Sequence, residues 1–267
     1  MAKIRLDQLL VQQGLAPSRA RAQGMIMAGE VMVDGQRITK AGAKYEQDVE
    51  IILQGQDLPF VSRGGLKLAK ALDEFAIDVQ DKIVLDIGAS TGGFTDCLLQ
   101  RGAKQVYAVD VGYGQLAWKL RCDPRVVVME RTNIRYLEAD QLDPKPHLAT
   151  IDVSFISITK FLERLSSLLR PQGSIVALIK PQFEAGRELV GKKGVVRDRE
   201  VHEKVLTHLM LAAQEHGWST VNLTYSPITG PEGNIEFLIH WQQGKVPWEG
   251  PVAPVVAAAH EALVKGE

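Results

Sequence analysis

The chain has 267 residues, with 31 Lys and Arg against 32 Asp and Glu and 45% hydrophobic residues, an ordinary globular composition that excludes a disordered chain. No apolar run reaches the ~18 residues that a membrane span needs, and the opening MAKIRLDQLL lacks a signal-peptide core. Two cysteines exclude a disulfide scaffold and fit a reducing cytoplasm, so a cytoplasmic protein of one large domain, or one medium and one small, is expected.

The balanced total hides an asymmetry. Residues 1–44 hold seven basic side chains (Lys3, Arg5, Arg19, Arg21, Arg37, Lys40, Lys44) against three acids (Asp7, Glu30, Asp34), a basic module that raises the question of nucleic acid. The first sixty residues read as a helix-helix-hairpin unit. Leu6, Leu9 and Leu10 share a helical face that stops at Gly14, and Ser18 caps a second helix that runs through Met25 and Ile26 to Gly29. Val31–Val33, Asp34-Gly35 and Gln36–Ile38 follow as a hairpin. Arg5, Arg19 and Arg21 fall near helix starts, away from the apolar faces, where they can meet phosphates. With Lys44 and Arg63 they form the expected RNA-contacting set.

Pro59 and the Gly64-Gly65 pair mark a boundary, giving a small domain over 1–60, a linker over 61–63, a main domain over 64–242 and a tail over 243–267. Beyond the boundary the pattern alternates. Strands are predicted at Ile83–Ile87, Gln105–Asp110, Val126–Met129, Ala149–Val153, Ser174–Lys180, Thr220–Tyr225 and Ile235–Trp241. Helices are predicted at Phe94–Arg101, Gln115–Leu120, Thr159–Leu169 and Arg199–His216. Such alternation gives an α/β fold whose mostly parallel sheet is covered on both faces. The stretch between Tyr225 and Ile235 is too short and too rich in Pro and Gly for a crossover helix, so the seventh strand must run antiparallel to the sixth. Seven strands with an antiparallel last one fit a Rossmann-like S-adenosylmethionine-dependent methyltransferase better than a dehydrogenase.

Val84–Phe94 is a strand, a glycine-rich turn and a helix start, and the crevice beyond such a strand is the usual ligand site. The turn is neither G-x-G-x-x-G nor a P-loop. Asp110 ends the second strand where a ribose diol would lie. Together with the antiparallel strand these features favour S-adenosylmethionine, with Asp86, Gly88, Ala89, Ser90, Thr91, Gly92, Gly93, Phe94, Asp110 and Asn133 as the expected donor site.

Strand polarity gathers four ionisable residues at the same edge. Asp152 and Lys180 end the fourth and fifth strands, Glu236 begins the seventh, and Lys67 opens the helix before the first. This set suits methylation of a hydroxyl: a lysine with a lowered pKa takes the proton, a neighbouring cation helps, and the carboxylates orient. Lys180 is the candidate base. Cytosine C5 chemistry would need a nucleophilic Cys after the fourth strand, and Cys97 and Cys122 stand elsewhere. Amino-group methylation commonly shows Asp/Asn-Pro-Pro-aromatic there, where this chain has Asp152-Val-Ser-Phe155. The six histidines form no ligand cluster, so no metal is expected. The loop Phe183–Arg197, with Arg187, Lys192, Lys193 and Arg197, reads as a lid over the site.

Arg5-Leu-Asp-Gln-Leu-Leu, Ser18-Arg-Ala-Arg-Ala, Ser62-Arg-Gly-Gly-Leu-Lys67, Asp86-Ile-Gly-Ala-Ser-Thr-Gly-Gly-Phe, Asp152-Val-Ser-Phe-Ile-Ser, Lys180-Pro-Gln-Phe-Glu and Asn234-Ile-Glu-Phe together resemble the TlyA family, bacterial proteins labelled haemolysins or rRNA 2′-O-methyltransferases. The resemblance spans roughly residues 3–241. It implies an RNA-binding domain of the ribosomal S-four type, an FtsJ-like methyltransferase domain, and methylation of cytidine ribose in small- and large-subunit rRNA. The family's Lys-Asp-Lys-Glu tetrad falls on Lys67, Asp152, Lys180 and Glu236. The implied partners are ribosomal RNA and ribosomal subunits, with no stable membrane insertion; the oligomeric state is left open. Two rival readings, a membrane-active haemolysin and a non-catalytic RNA-binding protein, predict respectively a lytic helix, which the sequence lacks, and a broken tetrad, which it does not show.

Overall fold

A computed structural model describes residues 3–27, 29–34, 36–47, 49–53 and 58–264. The chain divides between Leu58 and Pro59 into two compact units, slightly ahead of the predicted linker. In the first, β1 (Ile4–Arg5), α1 (Leu6–Gln12), α2 (Arg19–Met27), β2 (Val31–Val33), β3 (Gln36–Ile38), β4 (Lys44–Tyr45) and β5 (Ile51–Leu53) follow in order. The apolar face of the helices (Leu6, Leu10, Ala22, Ile26) closes on Val31 and Val33. Ser18 caps α2 as expected, its Oγ accepting the Arg21 N–H at 3.2 Å. The hairpin β2–β3 forms, and Asp34 adopts the left-handed conformation a tight hairpin requires (φ 49°), while Gly35 of that turn lies outside the described residues. The pairings β1–β4 and β2–β5 were not legible, because two- and three-residue strands leave no alternation to read.

The second unit opens with α3 (Gly64–Glu74) and β6 (Ile83–Ile87), then α4 (Gly93–Gln100), β7 (Gln105–Val109), α5 (Trp118–Arg121) and β8 (Val126–Met129). It continues with β9 (Leu148–Ile151), α6 (Leu162–Leu168), β10 (Ser174–Ile179), α7 (Pro181–Glu184), α8 (Arg199–Glu215), β11 (Trp218–Tyr225), β12 (Phe237–Gln243) and α9 (Val252–Leu263). The sheet order is β11-β12-β10-β9-β6-β7-β8. Strands β6 to β10 pair in parallel, and β12 is antiparallel to both β10 and β11, as the short connection required. Both faces are covered. Leu85 and Ile87 point into a core shared with Phe161, Leu165, Leu206 and Trp218, while Val84 and Val106 pack against Leu68, Phe94 and Leu98 on the other side.

One predicted helix is displaced in the structure. The helix expected over Gln115–Leu120 is a single turn displaced to Trp118–Arg121, because Ala117 just ahead of it is still extended (ψ 139°). The tail over 243–267 packs: Val256 and Ala259 of α9 are buried in the same core as Leu206 and Leu209 of α8. The segment read as a lid carries two short 3₁₀ turns, and its far end is fixed. Val195 and Val196 are buried, and Asn234 accepts the Val196 N–H at 3.1 Å while donating to the Gly194 carbonyl at 3.0 Å.

Candidate active site

β6 is where the strand order turns. β7 and β8 are laid to one side of it and β9 and β10 to the other, so a crevice opens beyond its carboxyl end. Two cavities occupy that crevice. One, of about 530 Å³, lies beyond β6, β7 and β9 and is bordered by Asp110, Gly112, Asn133, Val153 and Phe155. The other, of about 430 Å³, is bordered by Ser62, Arg63, Lys67, Thr91, Lys180 and Glu236. Gly88, Ser90, Asp152 and Ser154 border both.

The first cavity has a size usual for a small-molecule site. At Gly88 (φ +85°) a Cβ would stand 2.4 Å from the Asp152 carbonyl oxygen, so only glycine lets the turn pass the end of β9. Asp110 fastens this turn to the next loop: its carboxylate accepts the Ser90 N–H at 2.8 Å and the Gly112 N–H at 2.6 Å, which leaves lone pairs for a diol. Asn133 accepts the Arg135 N–H at 3.1 Å through Oδ1, leaving its amide hydrogens for a ligand. These residues fit the donor that the sequence implies, S-adenosylmethionine.

The expected donor set is divided by the structure. Gly88, Ser90, Asp110 and Asn133 border the first cavity, whereas Ala89, Thr91, Gly93 and Phe94 border only the second. The chain turns sharply at Ser90 (φ 48°) and carries the residues after it toward α3. Asp86 and Gly92 border neither. Asp86 is fully buried and accepts the hydroxyls of Thr95 at 2.6 Å and Thr150 at 3.0 Å; burial pushes its carboxyl up to about 7. It ties the start of α4 to β9 beneath the turn, so it shapes the donor site without touching it.

The four ionisable residues meet as two ion pairs around the second cavity. Lys67 donates to Glu236 Oε2, and both side chains are buried. Lys180 Nζ stands 2.5 Å from Asp152 Oδ1 and donates to Ser154 Oγ at 3.0 Å. Glu236 Oε1 has no hydrogen-bond partner among the described residues. Burial raises the Glu236 carboxyl above its usual value, with Lys67 opposing. Gly230 leaves this carboxylate its room, since a Cβ there would lie 2.1 Å from Oε1. Two cations, two carboxylates and two oxygens without a hydrogen-bond partner among the described residues, Glu236 Oε1 and Asp152 Oδ1, thus surround a cavity that adjoins the first, an arrangement that can bind a hydroxyl and remove its proton.

The basic residues separate as well. In the first unit, Arg5 grips the buried Asp7 with both ends of its guanidinium, at 3.0 and 2.9 Å, and Arg19 and Gln23 donate to the same carboxylate at 3.0 and 2.7 Å. These donors hold Asp7 well below the usual carboxylate range. Arg5 and Arg19 are therefore not free cations but a pair set in place by an acid. Arg21 and Lys44 are exposed, and among the described residues neither forms an ion pair. In the second unit, Arg63 borders the second cavity and donates to the Thr229 carbonyl at 3.3 Å.

Sequence reasoning missed Ser62, Gln115, Thr132, Ser154 and Phe155, all of which border a cavity. Ser154 and Phe155 stood inside a motif already singled out for Asp152. Phe155 is 90% exposed at φ 65°, its ring 4.9 Å from that of Phe183. Tyr113, with the Arg131 guanidinium 4.3 Å from its ring centre, follows directly on the Val111-Gly112 rim of the donor cavity. Exposed aromatic rings beside arginines suit unstacked bases.

The model of the FtsJ-like methyltransferase family matches residues 60–243, and that of the S4 domain matches residues 4–51. A Bacillus subtilis protein provisionally described as the rRNA methyltransferase YqxC is 55% identical over 98% of this chain and 95% of its own. The Mycobacterium tuberculosis 16S/23S rRNA (cytidine-2′-O)-methyltransferase TlyA is 42% identical over 99% of this chain and 98% of its own. Among solved structures, a chain from Streptococcus thermophilus provisionally described as a hemolysin superposes with a TM-score of 0.78 at 50% identity, covering 98% of this chain and 97% of that one.

Proposed function

The chain belongs to the TlyA family, which joins an S4 domain to an FtsJ-like methyltransferase, and on that premise we propose that it transfers the methyl group of S-adenosylmethionine to the ribose 2′-hydroxyl of a cytidine in ribosomal RNA. The observation that carries this reading is the junction of the two cavities at Asp152 and Ser154, both of which engage Lys180. S-adenosylmethionine supplies a methyl group already activated by its sulfonium. The tasks left to the chain are to place the acceptor oxygen and take its proton.

Asp110 and Asn133 hold the donor, Asp110 through its ribose diol. The acceptor hydroxyl enters the cavity bordered by Lys67, Lys180 and Glu236. Glu236 Oε1, lacking a partner among the described residues, accepts a hydrogen bond from the incoming ribose, and Lys67 holds that carboxyl in place and opposes the upward push of burial on it. Lys180, in its neutral form, takes the hydroxyl proton on Nζ as the oxygen attacks. Asp152 keeps the resulting ammonium paired. The S4 unit and the arginines of the methyltransferase unit supply RNA affinity through phosphates, and the substrate is rRNA presented in one or both ribosomal subunits. Among the described residues no helix is long and apolar enough to cross a membrane, so the hemolysin description of a relative gains no support from this chain.

The direct test is transfer of labelled methyl from S-adenosylmethionine into rRNA taken from a strain lacking this activity. Label should enter that rRNA and stay out of rRNA already modified by the enzyme; incorporation into neither would overturn the proposal. Asp110→Ala should weaken donor binding by about 1–3 kcal/mol, because the diol loses its acceptor and the turn its tie to Gly112. Calorimetry giving an unchanged affinity would remove Asp110 from the site. Replacing Arg21 and Lys44, the exposed cations of the first unit that form no ion pair among the described residues, with Ala should flatten the salt dependence of rRNA binding by up to about two phosphates' worth. A slope equal to that of the unmodified chain would give the module another purpose.

A further inference from the structure

The Lys180 amine is ion-paired with one residue and hydrogen-bonded to another. Asp152 Oδ1 stands at 2.5 Å and Ser154 Oγ at 3.0 Å from the same Nζ. Ser154 follows Asp152 by two residues, is exposed, and borders both cavities at their junction. A lysine acting as a base is a neutral amine, with two N–H bonds and one lone pair in tetrahedral directions. The ion pair with Asp152 is not a directed hydrogen bond, Oδ1 having no hydrogen-bond partner among the described residues, so alone it leaves the amine free to turn about its carbon–nitrogen bond and carry the lone pair around a cone. The hydrogen bond to Ser154 removes that freedom. With one N–H held on Ser154, the lone pair keeps two tetrahedral directions, and repulsion by the Asp152 carboxylate leaves the one that points away from Oδ1.

We infer that Ser154 is a positioning residue for methyl transfer, fixing the rotation of the Lys180 amine so that its lone pair is presented to the acceptor hydroxyl. Ser154 itself takes no proton: the hydroxyl proton passes to Nζ, the electron pair of the broken O–H bond goes to the attacking oxygen, and Ser154 accepts the same N–H bond before and after. The inference rests on the reading of Lys180 as the base.

Its test uses the full chain, rRNA substrate and labelled S-adenosylmethionine, with Ser154→Ala and Ser154→Thr compared. Ser154 is exposed, so both variants should fold, which the melting temperature verifies. Ser154→Ala should lower kcat about 10- to 100-fold, the scale of a misaimed reacting group, with donor affinity by calorimetry and KM for rRNA close to those of the unmodified chain. Ser154→Thr, which keeps the hydroxyl, should restore kcat to within about threefold. The inference is overturned if Ser154→Ala keeps kcat within about twofold, if its loss appears in donor affinity or KM instead, or if Ser154→Thr is as slow as Ser154→Ala. Failure of the underlying reading looks different: Lys180→Ala would then remain active whatever Ser154 does. A chain silenced by Lys180→Ala but indifferent to Ser154→Ala would contradict this inference alone.

Discussion

Lys180→Ala should lower methyl transfer by about 10²–10⁴-fold, the usual contribution of a general base, while donor affinity by calorimetry stays unchanged. The separation follows from the layout of the site. Lys180 borders the acceptor cavity and not the donor cavity, whose polar contacts come from Asp110 and Asn133. Lys180→Arg should be almost as inactive. A guanidinium can still pair with Asp152, so charge and much of the packing survive, but it cannot be neutral at any workable pH and has no lone pair to offer. The two substitutions together separate a base from a mere cation. If Arg restored activity, Lys180 would be acting through its charge; if Ala kept activity within about tenfold, it would not be the base at all.

Lys67→Ala should have the largest effect on stability. It leaves Glu236, fully buried, without the cation that opposes its desolvation, and breaking such a pair from one side costs about 3–5 kcal/mol. Glu236→Gln placed on the Lys67→Ala background should recover most of that loss, because a neutral amide no longer needs the cation. Urea denaturation of the single and double variants measures both quantities. The pH dependence has a definite sign. Burial already raises the folded-state value of Glu236 above 4.5, and loss of Lys67 raises it further. The folded variant then binds more protons than the unfolded chain above pH 4.5, so its deficit should be small in acid and grow as pH rises through the raised value. Equal losses at pH 5 and pH 8, or no recovery in the double variant, would contradict the buried-pair account. Glu236→Ala should cost less, since Lys67 borders the cavity and its ammonium can reach solvent there.

Much of this was legible before any coordinates, and the reason lies in strand polarity. Once β12 had to run against β11, the carboxyl ends of β9 and β10 and the start of β12 fell on one edge, and Asp152, Lys180 and Glu236 with them. Pairing within the set was another matter. Which lysine meets which carboxylate depends on how α3 approaches β12, a tertiary distance that no spacing encodes. Asp86 and Asp110 illustrate a second limit: both are acids at or near the carboxyl ends of neighbouring strands, yet one is sealed under two threonine hydroxyls and the other faces a cavity. The sequence ranks them alike because side-chain alternation tells which face a residue takes, not how much protein lies beyond it. Arg5 and Arg19 look like free cations in the sequence because neither spacing, two positions or 12, shows that Asp7 is buried beneath both. What α9 packs on is illegible for a similar reason: its buried residues belong to a core completed by α8, far away along the chain.

The central claim is that the methyl group goes to a ribose oxygen, and the position of the methyl on the product tests it most directly. rRNA methylated by this chain with labelled S-adenosylmethionine, digested to nucleosides and resolved by mass spectrometry, should carry the label on the ribose of cytidine. The flanking phosphodiester should then resist alkali, because the 2′-hydroxyl that cleaves it is blocked. Label on a nucleobase, with the backbone still cleaved by alkali at the modified position, would contradict the account.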